Sequence, residues 1–232
     1  MIHADQRFRF AVLLAVLALA GCGSTTAGEL MPGPSAAPAT VESAAPPDPP
    51  SGGWELAVIY TAVARFHTDK KVSVTGCTKL QCSEGTDSLG RYPGSFVKAV
   101  KEQGSGRLTD GRYLNWSYDV GYWLDTAPRN ASGGTLVPYV SAAADPSVLP
   151  QGTAFTVTGC GHLSNKKSPP PAAMCDRLSA ASWEVSDEFT PGSGGDHHVD
   201  LYIGEETQKN FTNTQWYNTL SGATLTLASA DR

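Results

Sequence analysis

The chain has 232 residues, of which 41% are hydrophobic and 17% are charged, and its formal net charge is −5. This mildly acidic balance, without a clustered face of lysine and arginine, argues against nucleic-acid binding. Once an atypical N-terminal stretch is set aside, roughly 180 residues remain, a length that suits one domain.

Residues 1–21 are typical of an export signal. Two arginines precede an apolar run, Phe10 to Ala20, which is too short to span a bilayer as a mature helix. The sequence Leu19-Ala20-Gly21-Cys22 resembles the lipobox of bacterial lipoproteins, in which the cysteine is lipidated and the signal is cut before it. The alternative is an ordinary signal peptide with a chance cysteine. We therefore expect export, with a lipid anchor on Cys22 at the bacterial cell membrane and a domain that faces the cell wall.

Residues 22–53 are rich in proline, alanine, serine, glycine and threonine and contain almost no large apolar side chains. Such a segment cannot bury a core, so we expect a flexible tether. The folded domain is then expected to cover residues 54–232.

The first predicted elements are two strands and a helix. Trp54 to Thr61 alternates with period two, so one face carries Trp54, Leu56, Val58 and Tyr60. Lys71 to Thr75 predicts a second short strand. Ser95 to Gln103 predicts a helix, with Ser95 as its cap and Gly104 as the left-handed residue that ends it.

The segment from Gly111 to Trp123 is dense in aromatic residues, namely Tyr113, Trp116, Tyr118, Tyr122 and Trp123. About half of them are expected in the core, because aromatic side chains bury large areas. The remainder are candidates for a groove that stacks on sugar faces.

The second half of the chain predicts more strands joined by turns. Gly134 to Gly161 indicates strand, turn and strand, and Ala223 to Ala228 closes the chain as a strand. Glu205 to Leu220 is expected to be short helical or irregular. Short strands with turn signals and little helix predict a closed, mainly β (all-β) domain.

Two acids lie in neighbouring apolar runs between Trp183 and Gly204. Asp187 ends the first run, and Asp200 lies in the second, where Val199, Leu201 and Ile203 should face the core. Asp200 should therefore point outward, on the same face as Tyr202. The glycine-rich linker between the runs lets the chain turn back, so the two carboxylates could come close together.

Four cysteines follow Cys22, and an even number outside the cytoplasm predicts two disulfides. Three connectivities are open. We favour Cys77–Cys82 and Cys160–Cys175, because each pair brackets a local loop. A zinc site is the alternative, although the spacing is not that of a standard zinc finger.

Three segments together resemble the three-aspartate ("3D") domain family, which is related to the membrane-bound lytic transglycosylase A family. The first is Ala144 to Thr153, ADPSVLPQGT; the second is Val185-Ser186-Asp187; the third is Asp200 to Gly204, DLYIG. Ile59-Tyr60-Thr61 loosely matches the first strand of that family. The compact D-x-G-G motif usual in the family is replaced here by Glu188 to Pro191. The resemblance implies a six-stranded double-psi β-barrel with short helices and loop insertions.

The resemblance also implies an activity: cleavage of peptidoglycan glycan strands as a lytic transglycosylase, which leaves a 1,6-anhydro sugar. Asp200 matches the catalytic acid of the family. Asp187 is expected to favour the protonated form of Asp200 and to hold it through a hydrogen-bond network. Asp145 is expected to fix the turn that leads into the barrel. The candidate substrate-binding residues are Tyr60, Thr61, Tyr202 and His198. We expect peptidoglycan or a related cell-wall polysaccharide as the partner, and neither a metal nor another cofactor.

Two other functions remain open. Double-psi barrels also occur in expansins, so the domain could bind cell-wall polysaccharide without cutting it. A glycoside hydrolase is the other alternative, with Asp187 or Glu188 activating water as a base.

Overall fold

The computed structural model describes residues 52–80, 82, 84–189 and 194–228. The predicted signal segment, the lipidation site Cys22 and nearly all of the predicted tether lie outside the described residues. Among the residues that are described, no helix is both long and apolar enough to cross a membrane.

The described chain is mostly β-structure. The strands are β1 (Trp54–Val63), β2 (Lys71–Gly76), β3 (Asp87–Pro93), β4 (Ser105–Arg107), β5 (Tyr113–Ser117), β6 (Gly121–Asp125), β7 (Ser141–Ala144), β8 (Ala154–Gly159), β9 (His162–Leu163), β10 (Trp183–Glu188), β11 (His198–Glu205) and β12 (Leu220–Leu227). Two short helices, α1 (Gly94–Gln103) and α2 (Ala172–Ser179), and two 3₁₀ turns, Ala64–Phe66 and Phe211–Asn213, complete the elements.

Six of these strands close into a barrel. Their order is β1, β11, β7, β10, β8 and β12, and β12 pairs back with β1. The pairs β1–β11 and β7–β10 are parallel, and the other four are antiparallel. Closure leaves no free edge between these strands. The predicted mainly β fold built on a six-stranded barrel is confirmed.

The barrel interior is packed by the residues that the alternating pattern assigns to it. On β1, Trp54 and Leu56 are fully buried, whereas Ala57 and Ile59 on the opposite face are partly exposed. The same alternation buries Val199 and Leu201 of β11. Burial of these apolar side chains is the main favourable contribution to the stability of the barrel.

Tyr202 departs from the predicted pattern, since it is only 2% exposed although it was expected to face outward with Asp200. The reason is the long segment between β1 and β7, residues 64–140, which is called the insertion from here on. Its strand β4 pairs with the end of β1, and the Tyr202 hydroxyl lies in a buried hydrogen-bond chain with Thr61 and Ser105. The C-terminal half of β11 is thus covered on both faces.

The insertion builds a second hydrophobic cluster outside the barrel. The hairpin β2–β3, helix α1 and the small sheet β4–β5–β6 contribute its residues, among them Phe96, Val100 and Leu114, which are fully buried. Because β4 continues the hydrogen bonding of β1, this layer is fixed to the barrel through a strand that also forms the barrel wall.

Helix α1 matches the predicted helix and ends, as expected, at Gly104, which has a left-handed backbone with φ of 83°. The expected cap is wrong, however. Ser95 lies inside the first turn, and its side chain makes no capping hydrogen bond. Instead Asp69, from the preceding loop, accepts hydrogen bonds from the backbone N–H and the hydroxyl of Ser95. An external carboxylate at the positive end of a helix serves the same purpose.

Both disulfide pairings favoured from the sequence are present in the structure. Cys77 is bonded to Cys82, and Cys160 is bonded to Cys175. These bonds leave none of the four thiols free to bind zinc. The second disulfide joins the end of β8 to helix α2. The disulfide was predicted from the sequence, but the helix was not.

Candidate active site

Asp187 and Asp200 are brought to the same place by strand β7. In the ladder β10–β7, Asp187 pairs with Ala143, and in the ladder β11–β7, Asp200 pairs with the same alanine. The two aspartates therefore flank Ala143, with their Cα atoms about 10 Å apart, which is two strand spacings. The small methyl side chain of Ala143 leaves the space between the two carboxyl groups open, and all three residues line one cleft.

The carboxyl group of Asp187 is largely buried but remains hydrogen-bonded. Its Oδ1 accepts hydrogen bonds from the backbone N–H groups of Ala131 at 3.1 Å and Glu188 at 3.0 Å. Burial raises the pKa of Asp187, the two hydrogen bonds lower it, and the negative charges of Glu188 and Asp200 raise it further. The net direction is upward, so the surroundings of Asp187 favour its neutral form.

Asp200 has a different environment. Its side chain is 20% exposed, and its Oδ1 lies 3.1 Å from Nε2 of His198. The two residues are two positions apart on β11, which places both on the open face of the strand. The hydrogen bond that Asp200 accepts from the His198 ring raises the pKa of His198.

The expected link between the two acids is therefore corrected. Within the described residues no hydrogen bond joins Asp187 to Asp200. They share the cleft and interact through their charges, while Asp200 takes His198 as its hydrogen-bond partner. The two aspartates are two strands apart, with Ala143 between them.

The cleft around Ala143 has a volume of about 480 Å³ and an uneven lining. The barrel supplies Asp187, Glu188 and Asp200. The insertion supplies aromatic side chains and charged side chains of both signs: Trp116, Tyr118, Lys101, Arg129, Glu102 and Asp119. The aromatic pair comes from the hairpin β5–β6, and Tyr118 at its tip is 83% exposed. Aromatic faces of this kind are suited to stacking on sugar rings.

A second cleft, of about 530 Å³, meets the first at Asp200. The two share Ile59, Gln103 and Asp200, and the second is lined further by uncharged polar residues such as Asn165 and Thr219. Asp200 consequently occupies the middle of one long groove and is reachable from both arms. Ile59 lies on the face of β1 opposite to Trp54 and Leu56, and it lines both clefts.

The other predicted site residues lie away from the groove. Asp145 is 2% exposed, and its Oδ1 accepts hydrogen bonds from the backbone and the hydroxyl of Ser147, which holds the turn after β7. The Thr61 hydroxyl lies 2.7 Å from that of Tyr202, and both side chains are buried. Tyr60 packs edge-on against aromatic rings of the second cluster and lines a separate cleft. These residues support the strands that carry Asp200.

Sequence reasoning missed several groove residues. Asn130 is buried and donates a hydrogen bond to the backbone of Ser186, which fixes the loop that presents the N–H of Ala131 to Asp187. Phe189 packs against His198, with ring centroids 5.2 Å apart. The sequence carries no local signal for either contact, because the partners are distant in the chain or depend on the fold of a loop.

No family model matches the sequence, and no curated protein matches it. Several solved structures are similar in part of their fold. Escherichia coli MltA with bound chitohexaose is 14% identical, over 76% of this chain and 72% of that chain, with a TM-score of 0.48. The membrane-bound lytic murein transglycosylase from Agrobacterium tumefaciens is 10% identical, over 75% and 73% of the two chains, with a TM-score of 0.44. The lytic transglycosylase LtgG of Burkholderia pseudomallei is 14% identical, over 80% and 75%, with a TM-score of 0.37. Likeness at this level does not establish a shared activity.

Proposed function

We propose that the protein is a cell-envelope lipoprotein that cleaves the glycan strands of peptidoglycan as a lytic transglycosylase, with Asp200 as the single general acid/base. The observation that carries the proposal is the position of Asp200 where the two arms of the groove meet. An enzyme that cuts within a polymer must hold sugars on both sides of the scissile bond. A partly exposed carboxyl group midway along a groove meets that requirement.

The reaction uses one carboxyl group twice. Asp200 gives its proton to the glycosidic oxygen while the bond to the anomeric carbon breaks through an oxocarbenium-like state. The sugar's own 6-hydroxyl then attacks the anomeric carbon, and the Asp200 carboxylate takes the proton of that hydroxyl. The product is a 1,6-anhydro sugar, and no water is consumed.

The remaining groove residues have supporting roles in this mechanism. Asp187, on the other side of Ala143, interacts with Asp200 through its charge, and this repulsion favours a proton on one of the two carboxyl groups. Trp116 and Tyr118 are aromatic side chains that could stack on sugars in the arm that also holds Asp187. Stacking there places the glycosidic oxygen over Asp200.

A second candidate function is favoured by the raised pKa of Asp187. Two carboxyl groups whose environments differ, so that one is kept neutral, are typical of an acid and base pair. In an inverting glycoside hydrolase, carboxyl groups roughly 6.5–9.5 Å apart leave room for the attacking water. Asp187, with its raised pKa, would be the acid, and Asp200 the base that activates the water.

Product analysis separates these functions. Purified peptidoglycan is incubated with the mature protein, and the fragments are analysed by mass spectrometry. A lytic transglycosylase gives 1,6-anhydro ends, whereas a hydrolase gives reducing ends that are heavier by one water. Wall binding without any fragments would support a non-catalytic, expansin-like module.

The Asp200→Asn variant tests the proposed acid. We expect it to lose about 10²–10⁴-fold in activity, the usual contribution of general acid–base catalysis. Asp196→Asn is the matched control, because Asp196 lies just before the same strand, is exposed and does not line the groove. An Asp200→Asn protein with full activity would exclude the proposed mechanism.

The lipid anchor is a separate part of the proposal, and it rests on the lipobox-like sequence that ends at Cys22. In cells, the wild-type protein should fractionate with membranes. Cys22→Ser should release it, and a variant that stays in the membrane fraction would contradict the anchor.

A further inference from the structure

We infer that His198 is the proton-loading residue of Asp200: its ring stores, between turnovers, the proton that Asp200 delivers to the glycosidic oxygen. The inference rests on the proposed function, because it takes Asp200 as the general acid. It adds a second residue to what would otherwise be a mechanism of a single carboxyl group.

The geometry of β11 builds the pair. Nε2 of His198 lies 3.1 Å from Oδ1 of Asp200, and the two side chains are 28% and 20% exposed. The ring of Phe189 covers the imidazole, with the two ring centroids 5.2 Å apart. The preceding residue, His197, differs in its contacts and packs its ring against Trp54.

The charges around the ring favour the imidazolium. The hydrogen bond with Asp200 is the main cause that raises the pKa of His198, and the negative charges of Asp200 and Glu55 and a hydrogen bond at the backbone of Gly194 act in the same direction. Partial burial opposes them. Glu55 faces the ring from the neighbouring strand β1, where it pairs with His198 in the ladder.

The next strands add more acidic groups. Asp187 interacts with Asp200 from β10, and Glu188 lines the same cleft. An extra proton held near these acids relieves their mutual repulsion. In the inferred cycle, the resting pair is an imidazolium beside a carboxylate, joined by the 3.1 Å contact between Nε2 and Oδ1.

Substrate binding favours transfer of the proton from His198 to Asp200. A glycan strand in the groove displaces water, and a drier site destabilises an ion pair relative to the neutral pair. The proton passes from Nε2 of His198 to Oδ1 of Asp200 and on to the glycosidic oxygen. After attack by the 6-hydroxyl, Asp200 recovers a proton and returns it to His198 when product leaves, so the protein gains and loses no net proton.

The test is the pH dependence of kcat/KM for His198→Gln, with His197→Gln as the matched control. Glutamine retains an N–H that can reach Asp200 but cannot titrate. We expect the alkaline limb of the His198→Gln profile to move to lower pH by roughly one unit or more, because carboxylic acids ionise well below imidazolium ions. Activity should recover in part on acidification, and His197→Gln should keep the wild-type limb. If His198→Gln lowers activity equally at every pH, the residue is only structural and the inference is overturned.

An NMR titration of the histidine rings provides a readout that does not depend on activity. The His198 signal is assigned by its loss in His198→Gln, and its midpoint is compared between the wild type and Asp200→Asn. We expect a lower midpoint in Asp200→Asn, and an unchanged midpoint would show that the two groups are not coupled.

The two assays distinguish the inference from the proposed function. If the wild type releases 1,6-anhydro ends but His198→Gln keeps its alkaline limb, the inference fails and the proposed function stands. If the NMR midpoint shifts but the wild type releases no anhydro ends, the reaction that the proton would serve is absent and both fail.

Discussion

Glu206 provides the strongest test of how the insertion is fixed to the barrel. It follows β11, and its side chain is only 3% exposed. Its Oε1 accepts a hydrogen bond from the backbone N–H of Val63 at 2.6 Å and lies 2.9 Å from Nε2 of His67. One buried carboxyl group thereby joins β11 to the segment that leaves β1. Glu206→Ala removes the acceptor for both groups.

The expected loss of stability follows from these two contacts. Leaving the buried N–H of Val63 without its partner costs about 1–3 kcal/mol, and the part-exposed His67 adds less because water can reach it. For a domain of this size, each kcal/mol lowers Tm by about 2–4 °C. Glu206→Gln retains an oxygen acceptor and should lose less than half as much.

Urea unfolding followed by circular dichroism measures the effect as a decrease in the midpoint at constant m. Glu205→Ala is the matched control. Glu205 is the neighbouring acid, but its contacts with Arg107 are part-exposed, and such surface pairs contribute about 0–1 kcal/mol. If Glu206→Ala stays within about 0.5 kcal/mol of the wild type, the two buried contacts do not stabilise the fold in the way the structure indicates.

Two further predictions concern stability. Because burial raises the pKa of Asp187 in the folded state, the folded protein binds a proton there more readily than the unfolded chain. The stabilisation is therefore complete below the unfolded pKa, about 4, and is lost as the pH rises through the folded pKa. Asp187→Asn should flatten this part of the stability–pH curve, measured by urea unfolding across the acidic range, and an unchanged slope would assign it to another group. Removing the Cys160–Cys175 disulfide, whose cysteines are 15 positions apart, should lower the free energy of unfolding by about 3 kcal/mol, and removing Cys77–Cys82, 5 apart, by about 2 kcal/mol. Equal losses in the two double-alanine variants, again measured with urea, would contradict the loop-length argument.

The barrel strands were predictable where burial alternates along one strand. Trp54 and Leu56 face the core because apolar side chains two positions apart share one face of a strand, and this pattern is local. The order of the strands was not predictable from the residues alone. The parallel pairing of β1 with β11 joins segments far apart in the sequence, and nothing in either strand specifies its neighbour.

Helix α2 shows a signal that was present and overlooked. It directly follows a run of prolines, within the segment between Cys160 and Cys175 that was expected only as a local loop. Met174 and Leu178 lie four positions apart, the helical spacing, and both are buried against the barrel. A proline is well tolerated just before the first turn of a helix, so the prolines mark its start.

The candidate site was predictable in its acids and not in their partners. The alternation of β11 placed Asp200 on the open face, and the structure puts it in the groove. The same pattern misplaced Tyr202, because a period of two describes one strand and contains no information about a second layer that covers its outer face. The role of Ala143 between the acids depends on two ladder registers, which only the folded barrel defines.

Along β11, residues that stabilise the fold alternate with residues that are proposed to take part in catalysis. Val199 and Leu201 are fully buried and hold the strand in the barrel, whereas His198 and Asp200 occupy the positions between and before them on the open face. Substitutions on that open face leave the core packing intact, so His198→Gln and Asp200→Asn should unfold within about 1 kcal/mol of the wild type. Val199→Ala should lose more, because it removes buried methyl groups from a filled interior. A large loss of stability in Asp200→Asn would mean that the acid holds the strand in place, and its loss of activity could then no longer be attributed to proton transfer.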